Sequence, residues 1–249
     1  MGMSHSVISD WFNGKKIPSP QDVARLLAAL GVSPAEFDQI FELSRHVADR
    51  DWLAAGIPGV TQQLAGTMEC ERSASAITEW ALTVVPGLLQ TSDYARAIIG
   101  AGGVSTAEVE NRILVRMGRR DIIMRSNPVA FHALICEQAL REPIANPKVQ
   151  ADQLRYLLTA ADTKSVRIQV VRSGIGWHPG RAGSFVVYDF DGSPSIILLE
   201  HFRTGAFLYE PADVEAYRTA AEDIRNIAMS QDESAALIAE IAREMESAT

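Results

Sequence analysis

Apolar positions in the first fifty residues recur with the helical period. Ile8, Trp11 and Phe12 stand at i, i+3 and i+4, and Val23, Leu26, Leu27 and Leu30 at i, i+3, i+4 and i+7. Ser4 is placed as the N-cap of a helix from His5 to Asn13, with Gly2 free to take a tight turn before it and Gly14 closing it. Ser19-Pro20-Gln21-Asp22 supplies a cap, a first-position proline and an acid in the first turn, and Gly31 ends that helix. Ser33-Pro34-Ala35-Glu36 reads as a capping box, after which Phe37, Ile40 and Phe41 start a third face predicted to run to about Asp51. Gly56-Ile57-Pro58-Gly59 then marks a boundary.

Beyond it the pattern mixes periods. Residues Cys70 to Ile77 read as a helix leading into Trp80, Pro86-Gly87 as a turn, and Ser92 as the cap of a short helix ending at Gly100, Gly102 and Gly103. Strands are predicted over Val129–Cys136, Val166–Val171, Ser184–Phe190 and Ser195–Leu199, with Asp191-Gly192 as the hairpin turn between the last two. Helices are predicted over Asn146–Ala161, Pro211–Ala228 and Asp232–Met245, the last capped near Ser230. The fold class is α+β: a small all-α domain over residues 1–55, then a mixed β-sheet covered by helices over residues 66–249.

Composition narrows the function classes. The chain of 249 residues is 47% hydrophobic and carries a net charge of −8, which argues against sequence-independent coating of nucleic acid but leaves room for a small basic contact face. Cys70 and Cys136 lack any motif spacing, there is no membrane-length apolar run, and no signal segment or internal repeat is visible. A cytoplasmic protein without a membrane partner is expected.

On the predicted first helix, His5, Ser6, Ser9 and Asn13 form a polar face of groups short enough to approach bases or phosphates, and Lys15 and Lys16 follow where phosphate charge is neutralised. Residues 1–41 resemble the second half of a lambda-repressor-type helix-turn-helix domain, from the turn before the recognition helix onward. Gly2-Met3, Ser6, Phe12-Asn13-Gly14 and Val32 to Phe37 carry the likeness. The resemblance implies operator DNA as partner, His5 and Ser6 at base-reading positions, Asn13 at a phosphate and Lys16 as a loop contact. It departs at His5, where the family reads adenine with an amide, and at Asp10, which adds a negative charge. The domain is therefore expected to be partial, lacking its first two helices. Either the start site lies too far downstream or the DNA-binding half has decayed, and the intact caps and stripes favour the first.

A second string, Pro86-Gly87-Leu88-Leu89-Gln90-Thr91 followed by Tyr94-Ala95-Arg96, resembles the signature of a C-terminal domain of unknown function found in actinobacterial helix-turn-helix regulators, some of them antitoxin-like. Glu108 to Arg120, Glu137 with Leu140, Gly183-Ser184-Phe185, Leu199-Glu200 and Asp232-Glu233-Ser234 extend the likeness over roughly residues 66–240. It implies a dimeric regulator whose C-terminal domain binds a small effector or a small protein.

Candidate binding residues in that domain form three sets. Arg112, Arg116, Arg119 and Arg120 share one helix face and read either as an anion or partner stripe or as a solvated face paired with acids. Trp177 and His178 lie in the glycine-rich run Gly174 to Arg181, a ligand clamp or a plain connection. Glu137, Glu200 and His201 stand at predicted strand ends, where polar site groups gather. The five histidines show no ligand spacing, and no nucleophile elbow or phosphate loop is present. No catalytic residue, metal or cofactor is assigned. The function expected is a DNA-binding transcriptional regulator with a sensing domain. An antitoxin-like interaction module and a regulator recruited as a biosynthetic enzyme or small-molecule binder stand as alternatives.

Overall fold

A computed structural model describes residues 5–12, 16, 18–46, 62–201 and 204–247. The chain divides into two compact units, Met1–Ile57 and Pro58–Thr249. The first unit contains helices α1 (His5–Phe12), α2 (Pro20–Leu30) and α3 (Pro34–His46). The capping chemistry forms as the sequence predicts. Ser19 Oγ accepts the Asp22 N–H at 3.2 Å, and Gly31 takes φ 66° as the left-handed stop of α2. Ser33 and Glu36 close a reciprocal box, Ser33 N–H donating to Glu36 Oε2 at 3.0 Å and Glu36 N–H to Ser33 Oγ at 3.3 Å. The predicted apolar stripe of α1 is only partly covered: Ile8 and Trp11 are half-buried, and Phe12 is 90% exposed. Gly2, Ser4, Asn13, Gly14, Lys15, the stretch 47–51 and the boundary at 56–59 lie outside the described residues.

The second unit opens with α4 (Gln62–Ser73) and continues through β1 (Ala76–Ala81), α5 (Ser92–Gly100), α6 (Thr106–Arg119), α7 (Asp121–Met124), β2 (Ala130–Cys136), α8 (Glu137–Arg141) and α9 (Pro147–Ala161). Then follow β3 (Val166–Val171), β4 (Phe185–Phe190), β5 (Ser193–Glu200), β6 (Gly205–Leu208), α10 (Pro211–Ile227) and α11 (Gln231–Ser247). The six strands form one mixed sheet in the order β3-β2-β1-β4-β5-β6. Strands β1, β2 and β3 are parallel, which requires the helical crossovers that join them, while β4, β5 and β6 form an antiparallel meander with Gly192 at φ 79° in the first turn. The architecture is thus α+β, a helical N-terminal region followed by a helix-covered mixed sheet.

Two sequence expectations are corrected here. Residues 76 and 77 belong to strand β1 and not to a helix; the helix ends at Ser73, and β1 is held between β2 and β4 along its length. The cap of α5 is Thr91, whose side chain accepts the Tyr94 N–H, and Ser92 is its first helical residue.

Strand alternation sends side chains to two different layers. Ile77 and Ala81 of β1, Phe131, Ala133 and Ile135 of β2, Ile168 and Val170 of β3 and Val186 and Tyr188 of β4 pack with residues of α9 and α11 in the larger core. Trp80, Leu134, Val171, Phe185 and Val187 face the other way, onto Ala221 and Ile224 of α10. The apolar positions of β1, β2 and β4 on both faces explain why the sheet is covered on both sides.

Candidate functional site

The Pro86–Thr91 string is a structural hub. Leu88 and Leu89 form a 3₁₀ turn and are buried, and hydrogen bonds from the neighbouring residues tie the turn to distant parts of the chain. Gln90 donates from Nε2 to Val85 O at 2.7 Å, Val85 N–H donates to the buried Tyr94 hydroxyl at 3.2 Å, and Thr91 N–H donates to Gln153 Oε1 at 2.7 Å. Gln153 returns a hydrogen bond from Nε2 to Leu89 O at 2.7 Å. A Cβ at Gly87 would lie 3.4 Å from Arg116 Nη1 and 3.6 Å from Arg119 Nη2, ordinary contact distances that place the turn directly beside both guanidiniums.

Those two arginines enter a charge cluster on the larger-core face of the sheet. Arg119 donates Nε to Glu71 Oε2 at 2.9 Å and Nη2 to Glu71 Oε1 at 2.5 Å, a bidentate pair with side chains only 10% and 4% exposed. Arg116 Nη1 donates to Gln90 Oε1 at 2.8 Å. Glu79 projects from the middle of β1 on the same face as Ile77 and Ala81, into the field of Glu200, Arg119, Glu71 and Arg116. Burial, reinforced by the Glu200 charge, pushes the Glu79 carboxyl up from the ordinary 4.5 to about 8, against the pull of Arg119. Burial and the neighbouring Arg119 lower the Arg116 pKa. Burial also opposes the Arg119 charge, but Glu71 outweighs it and holds that guanidinium above its ordinary value. The Tyr188 hydroxyl is raised well above its usual range, first by burial and then by Glu71 and Glu79, and burial with Glu69 and Glu71 raises the Cys70 thiol to about 12. Cys70 is accordingly a thiol and not a thiolate at neutral pH, and both cysteines are free.

The structure brings Arg116, Arg119 and Glu200 of the expected binding residues into this one cluster. Arg112 lies about one turn earlier on α6 and pairs with Glu108 on its own helix at 2.5 Å, and Arg120 stacks its guanidinium 4.3 Å from the Tyr156 ring centroid. The arginine face is therefore turned into the domain in its second half, with acids supplied from α4 and β1. Glu137 stands apart, at the end of β2. It is buried, accepting Arg141 Nε at 2.7 Å and Ser173 N–H at 3.1 Å. Burial would raise its carboxyl, but those two hydrogen bonds prevail and hold it below the usual range.

The glycine-rich run is anchored at one end and open at the other. Gly180 O accepts Trp80 Nε1–H at 2.7 Å, and the His178 ring meets the Trp80 ring edge-on with centroids 5.6 Å apart. His178 is buried, and its Nδ1 has no partner among the described residues; burial and Arg181 lower its pKa, whereas Trp177 is 78% exposed. His201 is exposed and pairs its N–H with Thr204 O at 2.8 Å.

In the first unit, His5 begins α1, Ser6 is exposed and Ser9 half-buried along it. Lys16 is exposed and forms an ion pair with Asp10 at 3.2 Å. Asn13 and Lys15 are outside the described residues. Sequence reasoning missed Glu71 and Glu79. The available signal was an acid flanked by Ile77 and Ala81 at strand spacing, which only reads once 76–81 is recognised as a strand. Among the described residues no group of histidine, cysteine or carboxylate side chains is arranged to hold a metal ion, and no helix is long and apolar enough to cross a membrane.

Comparison with known families fits this division. Residues 1–37 match the family described as Helix-turn-helix, a DNA-binding class. Residues 64–240 match the family described as Domain of unknown function (DUF5753), and the chain belongs to that family. No curated protein and no solved structure matches it.

Proposed function

We propose that the chain is a DNA-binding transcriptional regulator whose N-terminal unit reads an operator and whose sheet domain senses an effector or a partner. The helix-turn-helix match over residues 1–37 carries this reading. The exposed Ser6 on α1 and the basic Lys16 beyond it support it. His5, Ser6 and Ser9 would approach bases, with Asn13, Lys15 and Lys16 on the backbone, and Lys16 would exchange Asp10 for a phosphate. A homodimer placing two short helices on paired half-sites is the economical way for such a module to gain specificity. The test is an electrophoretic mobility shift of the chain on its own promoter at fixed salt. A sequence-specific shift is expected, with a salt slope that falls by about one when Lys16 is changed to Gln. Equal binding to promoter and random DNA overturns the proposal.

A protein partner, as for an antitoxin, is the second reading, and the exposed Trp177 favours it because tryptophan is a common anchor of protein interfaces. Co-purification from the native operon tests it: a stoichiometric companion lost in Trp177→Ala supports the reading, and no companion in the wild type rejects it.

A further inference from the structure

The α10 face of the sheet is apolar at one end of the parallel strands and polar at the other. Trp80, Leu134 and Val171 pack under α10 near the carboxyl ends. Two to four residues earlier on the same strands, Thr78, His132 and Arg167 lie side by side in register, Thr78 opposite His132 and His132 opposite Arg167. A cavity of about 560 Å³ opens over this row, in the ordinary range for small-molecule sites. Arg225 lines it from α10 and Lys164 from the turn that precedes β3.

The charges around it are not internally balanced. The exposed side chains of Lys164 and Arg167 make no hydrogen bond or ion pair among the described residues. Arg225 gives Nη1 to Glu222 at 2.6 Å, but its Nε is buried with no acceptor among the described residues. Two acids also line the cavity. Asp189 is already held by Arg218 at 2.5 Å and by Ser195 at 2.6 Å, and Asp162 is exposed at the end of α9. His132 reports the resulting field: burial, with Arg225 and Arg167 facing it, lowers its pKa to about 4 against the hydrogen bond that its Nε2 donates to Gln169 Oε1, so it is neutral at physiological pH.

We propose that this cavity binds a small organic phosphate, held by Arg167, Arg225 and Lys164 over the Thr78–His132–Arg167 row. Three cations on three separate elements suit a tetrahedral group with several terminal oxygens, whereas a carboxylate is satisfied by one bidentate arginine. The cavity is far larger than an inorganic ion, which leaves room for an organic body beside the phosphate. The inference concerns the sheet domain and does not depend on the reading of the first unit.

Calorimetric titration of the full chain with AMP, inorganic phosphate and citrate tests it, alongside the ring NMR signals of His132. AMP is expected to bind, and to raise the His132 titration midpoint because the anion offsets the two guanidiniums. Arg167→Gln and Arg225→Gln should each weaken AMP by about tenfold or more, while Arg243→Gln, on an exposed part of α11, leaves it unchanged. Circular dichroism confirms that each variant is folded. Absence of AMP binding, AMP affinity unchanged in both cavity variants, or citrate binding as tightly as AMP overturns the proposal. A DNA duplex displacing AMP from the wild type overturns it as well, since the ligand would then be a nucleic-acid backbone.

Discussion

Replacing Glu79 with Gln keeps the shape of the side chain and removes its titration. In the folded domain burial and Glu200 raise this carboxyl to about 8, against 4.5 when it is free, so the native state holds the proton more tightly than the unfolded chain does. The sign follows. Below 4.5 both states are protonated and no free energy is lost. From there to about 8 the unfolded state releases the proton first, and stability falls by up to about 1.4 kcal/mol per pH unit. Above 8 both states are ionised and the loss is constant. At pH 7 the accumulated loss is on the order of 3 kcal/mol, reduced where the half-buried carboxyl is screened by water. Glu79→Gln is expected to match the wild type near pH 4.5, to exceed it by about 2–3 kcal/mol at pH 7 and by somewhat more at pH 8. Urea unfolding of both proteins at a series of pH values, followed by the fluorescence of the sheet domain, measures the difference directly. A difference that stays constant from pH 4.5 to 8 refutes the raised carboxyl and the cluster geometry behind it.

Further outcomes follow from the same structure. Arg119→Met leaves Glu71 charged and buried and should cost about 3–5 kcal/mol in urea unfolding, most of it recovered in the Glu71→Met/Arg119→Met double variant. Gly180→Ala places a Cβ 2.6 Å from Trp80 Cε2 and 2.9 Å from Ile224 Cδ1; a loss of about 1–3 kcal/mol and a shift of Trp80 fluorescence are expected, and wild-type values for both would contradict the packing. Glu137 works in the opposite sense to Glu79. Its lowered carboxyl contributes stability above about 4.5 that disappears as pH falls through its folded value, so Glu137→Gln should be destabilised at pH 7 and converge with the wild type in acid.

Much of the framework was legible because local signals and tertiary structure agree. The strand over 130–136, the hairpin around Asp191-Gly192 and the boxed starts of α3 and α11 needed only alternation and capping residues. Strand β1 was not legible, since Ser73-Ala74-Ser75-Ala76 carries no strand propensity and directly continues a helix. Strand β6, four residues beginning with Gly205, is too short to show a period. Half of the candidate site was visible as an arginine face of α6. Its inward turn was not, because helical spacing says which residues share a face and nothing about what covers it. The acids that receive Arg119 and surround Arg116 lie on α4, β1 and β5, far away in sequence. Long-range pairing of this kind is decided by topology.

The order of the sheet places β1 at the seam where parallel strands meet antiparallel ones, with Glu79 and Trp80 as consecutive residues on opposite faces. A backbone shift of β1 that moved Glu79 would move Trp80 with it, and the Trp80–Gly180 hydrogen bond joins that indole to the run that displays Trp177. The charged compartment and the apolar one thus share a single length of backbone.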